Sequence, residues 1–140
     1  MRCVLDTNVV VAAMRSPSGA SAELLRLARQ SRVMPLANVA LALEYEATCR
    51  LAEHRLAAGL DLHEVSVFVD GVLAMMEPVE THFMWRPQLR DPADELVLEA
   101  AVNGQAAAIV TFNRRDFGMA PAPFGIELLT PAEAMRRIKT

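Results

Sequence analysis

Two cysteines in 140 residues are too few for a disulfide framework. Cys3 and Cys49 stand far apart with no CxxC spacing, which argues against a structural zinc site and for reduced core residues of a cytosolic protein. The three histidines, His54, His63 and His82, show no metal-ligand spacing. Basic charge is also scarce: a net charge of −3 gives no positive field of the kind many nucleic-acid binders carry. If the chain handles nucleic acid, bound metal ions or a local arginine cluster must offset phosphate repulsion. No apolar run reaches the roughly 18 residues a membrane span requires. No secretory leader is expected, because the first apolar run is short and broken by Asp6. Neither common glycine-rich phosphate loop is present, and there is no internal repeat, linker or low-complexity segment.

What is present is a hydrophobic chain, 53% apolar, long enough for one domain over 1–140 with a sizeable core. Cys3 to Val11 reads as a buried, apolar strand interrupted by Asp6, Thr7 and Asn8. A carboxylate where a buried strand ends is costly unless a cation meets it. In open α/β sheets the carboxyl ends of the strands line the ligand crevice, so Asp6 is the first candidate for chemistry.

Further along, Arg15 to Ala20 reads as a loop, with Ser18 or Ser21 capping a helix to Gln30. Val33 to Ala37 is a second strand, and Asn38 caps a long helix running to Ala58 and ended by Gly59. Asp61 starts a helix through Met75, with Leu62, Val65, Val69, Val72 and Leu73 inward. Pro78 to Glu80 forms a weak strand, followed by an irregular loop from His82 to Arg90. Asp91-Pro92 starts a helix that stops at Gly104. Ala107 to Thr111 and Ile126 to Leu129 are strands, separated by a loop from Phe112 to Pro123. Thr130-Pro131 starts the last helix. Strands alternating with helices argue for parallel βαβ units and an α/β fold.

Three more acids join Asp6. Glu44 shares a helical stripe with Leu41, Thr48 and Leu51, whereas Glu46 falls on the solvated face. Asp94 sits three residues after the cap Asp91. Asp116 lies just past a buried strand, the same topological position as Asp6, with Thr111 and Asn113 adding neutral polar groups. Each has an ordinary reading: a half-buried Glu paired with an Arg, a first-turn acid facing the helix dipole, a loop Asp capping a turn. Together they would converge at the carboxyl end of one sheet. Such a carboxylate set repels itself unless hard cations such as Mg²⁺ or Mn²⁺ are present, and those ions activate water for attack on phosphorus.

These residues carry a resemblance. Val4-Leu5-Asp6-Thr7-Asn8-Val9, Leu43-Glu44-Tyr45-Glu46, Arg90-Asp91-Pro92-Ala93-Asp94-Glu95, Ile109-Val110-Thr111 and Asn113-Arg114-Arg115-Asp116-Phe117 occur in the order found in the PIN domain family. That family comprises metal-dependent ribonucleases found as toxins of bacterial toxin–antitoxin pairs. The resemblance implies a five-stranded parallel sheet of order 3-2-1-4-5 between helices. It further implies that Asp6, Glu44, Asp94 and Asp116 hold Mg²⁺ or Mn²⁺, with Asn8, Thr111 and Asn113 as supporting polar groups. The expected activity is cleavage of single-stranded RNA. The expected partners are the RNA, a small antitoxin protein and a second copy of the chain, with no membrane. Arg15, Arg86, Arg90, Arg114 and Arg115 are candidate phosphate contacts. The homodimer is expected through the apolar Asp61 to Met76 helix and the Val79 to Trp85 loop.

Many relatives carry Thr-Gly-Asp where this chain has Thr111-Phe112-Asn113. That difference suits a second reading, a catalytically degenerate module that binds RNA or a partner. A third is a phosphohydrolase with Asp6 as nucleophile; that chemistry usually wants an acid two residues on, where Asn8 stands.

Overall fold

The computed structural model describes residues 1–82 and 88–140. Most of the expected irregular loop, with Trp85 and Pro87, the candidate Arg86, and the end of the expected dimer loop, lie outside the described residues.

Five parallel strands stand in the order β3-β2-β1-β4-β5, as expected. They are β1 (Arg2–Leu5), β2 (Met34–Ala37), β3 (Glu77–Pro78), β4 (Ala108–Val110) and β5 (Glu127–Leu129). Pairing of Leu5 with Val110 sets the ends of β1 and β4 side by side, and Asp6 N–H continues the ladder to the Val110 carbonyl at 2.9 Å. The connection after β1 runs toward β2, and the connection after its neighbour β4 runs the other way, toward β5. This is the switch point at which a crevice opens beyond the strand ends.

The apolar run after Asp6 does not stay extended. Asp6 is the N-cap of α1 (Thr7–Arg15), so Val9, Val10 and Val11 belong to a helix. Three valines in a row cost a helix roughly 0.5 kcal/mol each relative to alanine. All three are buried, and burying each contributes roughly 1.5 kcal/mol or more. Packing therefore decides the outcome against propensity. The next helix, α2 (Ala20–Arg29), is capped by Gly19 with no side-chain cap bond, not by Ser18 or Ser21. Ser21 is buried inside it instead.

Asn38 caps α3 (Val39–Cys49) as expected, its Oδ1 accepting from Leu41 N–H at 2.8 Å. The long helix expected to reach Ala58 is broken. Leu51 turns to an extended conformation and α4 (Ala52–Ala58) begins anew. No glycine or proline marks the break; its consequence is that α4 packs on α1 and brings His54 beside Arg15. Gly59 ends α4 with φ +73°, a conformation that favours glycine.

Helix α5 (Leu62–Ala74) opens with a full capping box between Asp61 and Glu64. Val65, Val69 and Val72 are buried, but Leu62 is exposed rather than inward. Helix α6 (Pro92–Asn103) starts on Asp91, whose Oδ1 accepts from Ala93 N–H at 2.9 Å. At its end Gly104 is fixed by crowding: a Cβ there would stand 2.9 Å from Leu36 Cδ1 and Val79 Cγ2. The expected loop after β4 contains a short helix, α7 (Arg114–Phe117), pinned by the buried Phe117, and a 3₁₀ turn at Ala122–Phe124. Helix α8 (Pro131–Lys139) closes the chain with a Thr130–Glu133 capping box. Among the described residues no helix is long and apolar enough to cross a membrane.

Candidate functional site

Four elements deliver the four expected acids to one cleft of about 590 Å³ at the carboxyl ends of β1 and β4. Asp6 arrives from the end of β1, Glu44 from the middle of α3, Asp94 from the first turn of α6 and Asp116 from α7. Asn8 and Asn113 line the same cleft, as do Arg15, Thr48, His54 and Phe112. Asp91 lines it too, so five carboxylates face this space. Its cap bond had accounted for Asp91 as a purely structural residue; its place one turn before Asp94 was the available signal. Glu46 is exposed and not part of the cleft. Glu95 accepts from the backbone N–H groups of Gln88 and Leu89 and so ties the preceding segment to α6.

Asp6 is the most deeply set of the acids, only 7% exposed. Its Oδ2 accepts from the Thr111 hydroxyl at 2.6 Å. Thr111 is fully buried, is tied to the sheet through its N–H to the Leu129 carbonyl, and accepts in turn from Asn113 N–H at 3.0 Å. So Thr111 does not border the open space; it supports Asp6 from behind and shapes the loop bearing Asn113. On the far side, Tyr45 is buried beneath the strand end and donates to the Leu5 carbonyl, fixing α3 against β1. One helical position before it, Glu44 is half-buried, with Thr48 donating to its Oε1 at 3.3 Å. Leu51, expected on the same stripe, lies beyond the helix end and is exposed.

The electrostatics follow from this placement. Burial pushes the Asp6 carboxyl above its ordinary range, with Asp116 and Asp91 adding to the push; the Thr111 hydroxyl and the Thr7 backbone oppose it. Asp94 is raised to about 6, first by loss of hydration and then by the charges of Asp6, Asp91, Asp116 and Glu95. The acids are thus close enough to sense one another. Facing cations are few. Arg15 lines the cleft and is held by His54, its guanidinium 3.1 Å from His54 Nδ1.

The donors facing the cleft suit a hard divalent ion in kind. They are carboxylate and amide oxygens, and two of the neighbouring polar atoms, Asn8 Oδ1 and Thr7 Oγ1, are buried with no hydrogen-bond partner. Among the described residues, however, no three His, Cys, Asp or Glu side chains are grouped closely enough to hold an ion as they stand. Closing the set on an ion therefore takes side-chain movement, which the exposed Asp116 and half-buried Asp94 and Glu44 have room to make.

A second cavity, of about 550 Å³, shares Asp91, Asp94 and Asp116 with the first and is lined on its other side by Arg90, Arg115 and Met119. Asp91, Asp94 and Asp116 thus stand between two adjoining lobes, with Asp6 and Glu44 in the first alone.

A family model for the PIN domain matches residues 2–115, which include β1 through β4 and four of the five cleft carboxylates' helices and strand ends up to Arg115. Asp116 follows the matched span directly. No curated protein and no solved structure matches the chain.

Proposed function

The chain belongs to the PIN domain family, and from that premise we propose that its acidic cleft is the active site of a divalent-metal-dependent endoribonuclease acting on single-stranded RNA. PIN domains are generally nucleases. The observation that carries the finer reading is the convergence of Asp6, Glu44, Asp94 and Asp116, from four separate elements, on the crevice beside the β1–β4 switch point.

In this reading those four side chains hold the ion, with the buried, unpartnered Asn8 Oδ1 as a neutral oxygen beside them. Bound there, Mg²⁺ or Mn²⁺ supplies a Lewis acid and activates water for attack at phosphorus. The Thr111 hydroxyl, donating to Oδ2, and the Thr7 backbone hold the Asp6 carboxylate in place at the cleft. Carboxylates with raised proton affinity give up that proton when an ion replaces it, so metal binding would release a proton from Asp94 around pH 6. Arg15, steadied by His54, sits where a phosphate next to the scissile one would pass. Asn113 contributes a neutral group where many relatives carry an acid.

The same reading makes the chain, as one domain over 1–140, the cytoplasmic toxin of a toxin–antitoxin pair, working as a homodimer and held in check by a small antitoxin protein. The competing reading, a binding module that does not cleave, draws on Asn113 alone. Incubation of purified protein with a labelled single-stranded RNA separates them. Cleavage is expected with Mg²⁺ or Mn²⁺ and not in excess chelator, and Asp6→Asn is expected to lower the rate on the order of 10³-fold or more. Cleavage that persists in chelator rejects the metal mechanism; metal-dependent binding without cleavage selects the module.

A further inference from the structure

Phe112 is 51% exposed, although it follows the fully buried Thr111 and stands at the border of a cleft whose other lining is mostly polar or charged. The fold makes no use of this ring as core. Its backbone is nevertheless held on both sides. Thr111 N–H bonds to the Leu129 carbonyl at 2.9 Å, and Asn113 N–H to the Thr111 hydroxyl at 3.0 Å. The same hydroxyl grips Asp6, so the ring is carried on the very residue that orients the most buried acid. An exposed aromatic side chain on a rigid mount, beside acids and with Arg15 lining the same lobe, is the arrangement by which single-stranded nucleic acid is held through stacking of a base.

We propose that Phe112 is the stacking platform for the nucleobase adjacent to the scissile phosphate, in the lobe that Arg15 and His54 line. This deepens the nuclease reading and rests on it for the identity of the bound strand. The strand would cross Asp91, Asp94 and Asp116 with one base on Phe112 and its onward phosphates in the second lobe, toward Arg90 and Arg115. Each lobe is open and of the order of one nucleotide in size. A base can reach the ring only when it is unpaired, because in a duplex both its faces are already stacked. The platform therefore selects single strands, and since every base has a π-face it does so with little sequence preference.

The test compares affinity, by fluorescence anisotropy with Ca²⁺ in place of the ion that supports cleavage, for a short labelled oligoadenylate and for an equally long abasic ribose-phosphate chain. Cleavage is followed separately with Mn²⁺. Wild type, Phe112→Leu and Phe112→Tyr are measured, with thermal melts as a check on folding. Phe112→Leu is expected to weaken oligoadenylate binding by about 5- to 100-fold, the worth of one base–aromatic stack, without changing its affinity for the abasic chain. Phe112→Tyr, which keeps a ring, is expected to bind like wild type, and all three are expected to melt alike. The inference is overturned if Phe112→Leu binds oligoadenylate within twofold of wild type, as it would were the ring covered by a partner protein. Equal losses on both probes also overturn it. RNA left uncut by a wild type that still shows ring-dependent binding rejects the nuclease reading alone; cleavage with ring-independent affinity rejects only this inference.

Discussion

Replacing Thr111 by valine removes one hydroxyl and almost no volume, and that hydroxyl has two partners. It donates to Asp6 Oδ2 at 2.6 Å and accepts from Asn113 N–H at 3.0 Å. A hydrogen bond to a carboxylate contributes about 1.5–3 kcal/mol, and the Asn113 amide, being near the surface, costs roughly another 0.5–1 kcal/mol. The added methyl, fully buried, returns up to about 0.8 kcal/mol. Asp6 also limits the loss by taking up a proton. The net expectation at pH 7, with chelator present, is a loss of about 1–3 kcal/mol, which lowers the melting temperature of a chain this size by about 3–10 °C. The loss has a pH signature. Asp6 already has a raised folded pKa, and removing the Thr111 bond raises it further. An acid with a raised folded pKa destabilises the native state at neutral pH, and that penalty is relieved as pH falls through the folded value. The defect of Thr111→Val is therefore smaller once pH falls below the raised Asp6 value than it is at pH 7. Urea melts of wild type, Thr111→Val, Asp6→Asn and the double variant measure the coupling directly. Thr111→Val within about 0.5 kcal/mol of wild type at pH 7, or a defect that does not shrink as the acid titrates, would refute the assignment of Thr111 as the support of an ionised Asp6.

Two further outcomes are expected. In chelator, wild type should gain stability as pH falls from 7 to 5, because Asp94 with a folded pKa of about 6 takes up a proton that the unfolded chain binds only near 3.9; the gain is roughly 1 kcal/mol once solvent screening of a half-buried carboxylate is allowed for. Below about 4.5 the half-buried, ion-paired Glu23, Glu77 and Glu133, whose pKa values are lowered, reverse the trend. Melts at closely spaced pH values check both arms, and a steady decline from pH 7 downward contradicts them. A dimer mass is expected by light scattering at tens of micromolar, and Val67→Asp, on the exposed side of α5, should give a monomer; a monomeric wild type removes the expected dimer.

The sequence was most legible where burial and capping agreed. The parallel α/β class followed from buried runs alternating with capped helices, while the strand order came from the resemblance; Asn38, Asp61, Asp91 and Thr130 all mark helix starts by their side chains. It misled where tertiary packing overrode local preference. Val9 to Val11 look like strand but form a buried helix face, and the α3–α4 break has no local breaker. The four acids could be gathered because each lies at an element end or on an apolar stripe. What pattern reading could not supply were Asp91, hidden behind its cap role, the Arg15–His54 pair, which depends on that unmarked break, and the outward ring of Phe112. These belong to the cleft only through the way separate elements meet.

The central claim, that Asp6, Glu44, Asp94 and Asp116 act as one divalent-ion site, is tested most directly by thermal melts with chelator and with saturating Mn²⁺ for wild type, Asp6→Asn and Glu46→Gln. Wild type and Glu46→Gln should be stabilised alike at pH 7, by roughly 2.7 kcal/mol at a hundredfold excess over the dissociation constant. Asp6→Asn should lose most of that gain. An identical response of wild type and Asp6→Asn to Mn²⁺ would mean that the acids do not share an ion, and the catalytic reading would fall with them.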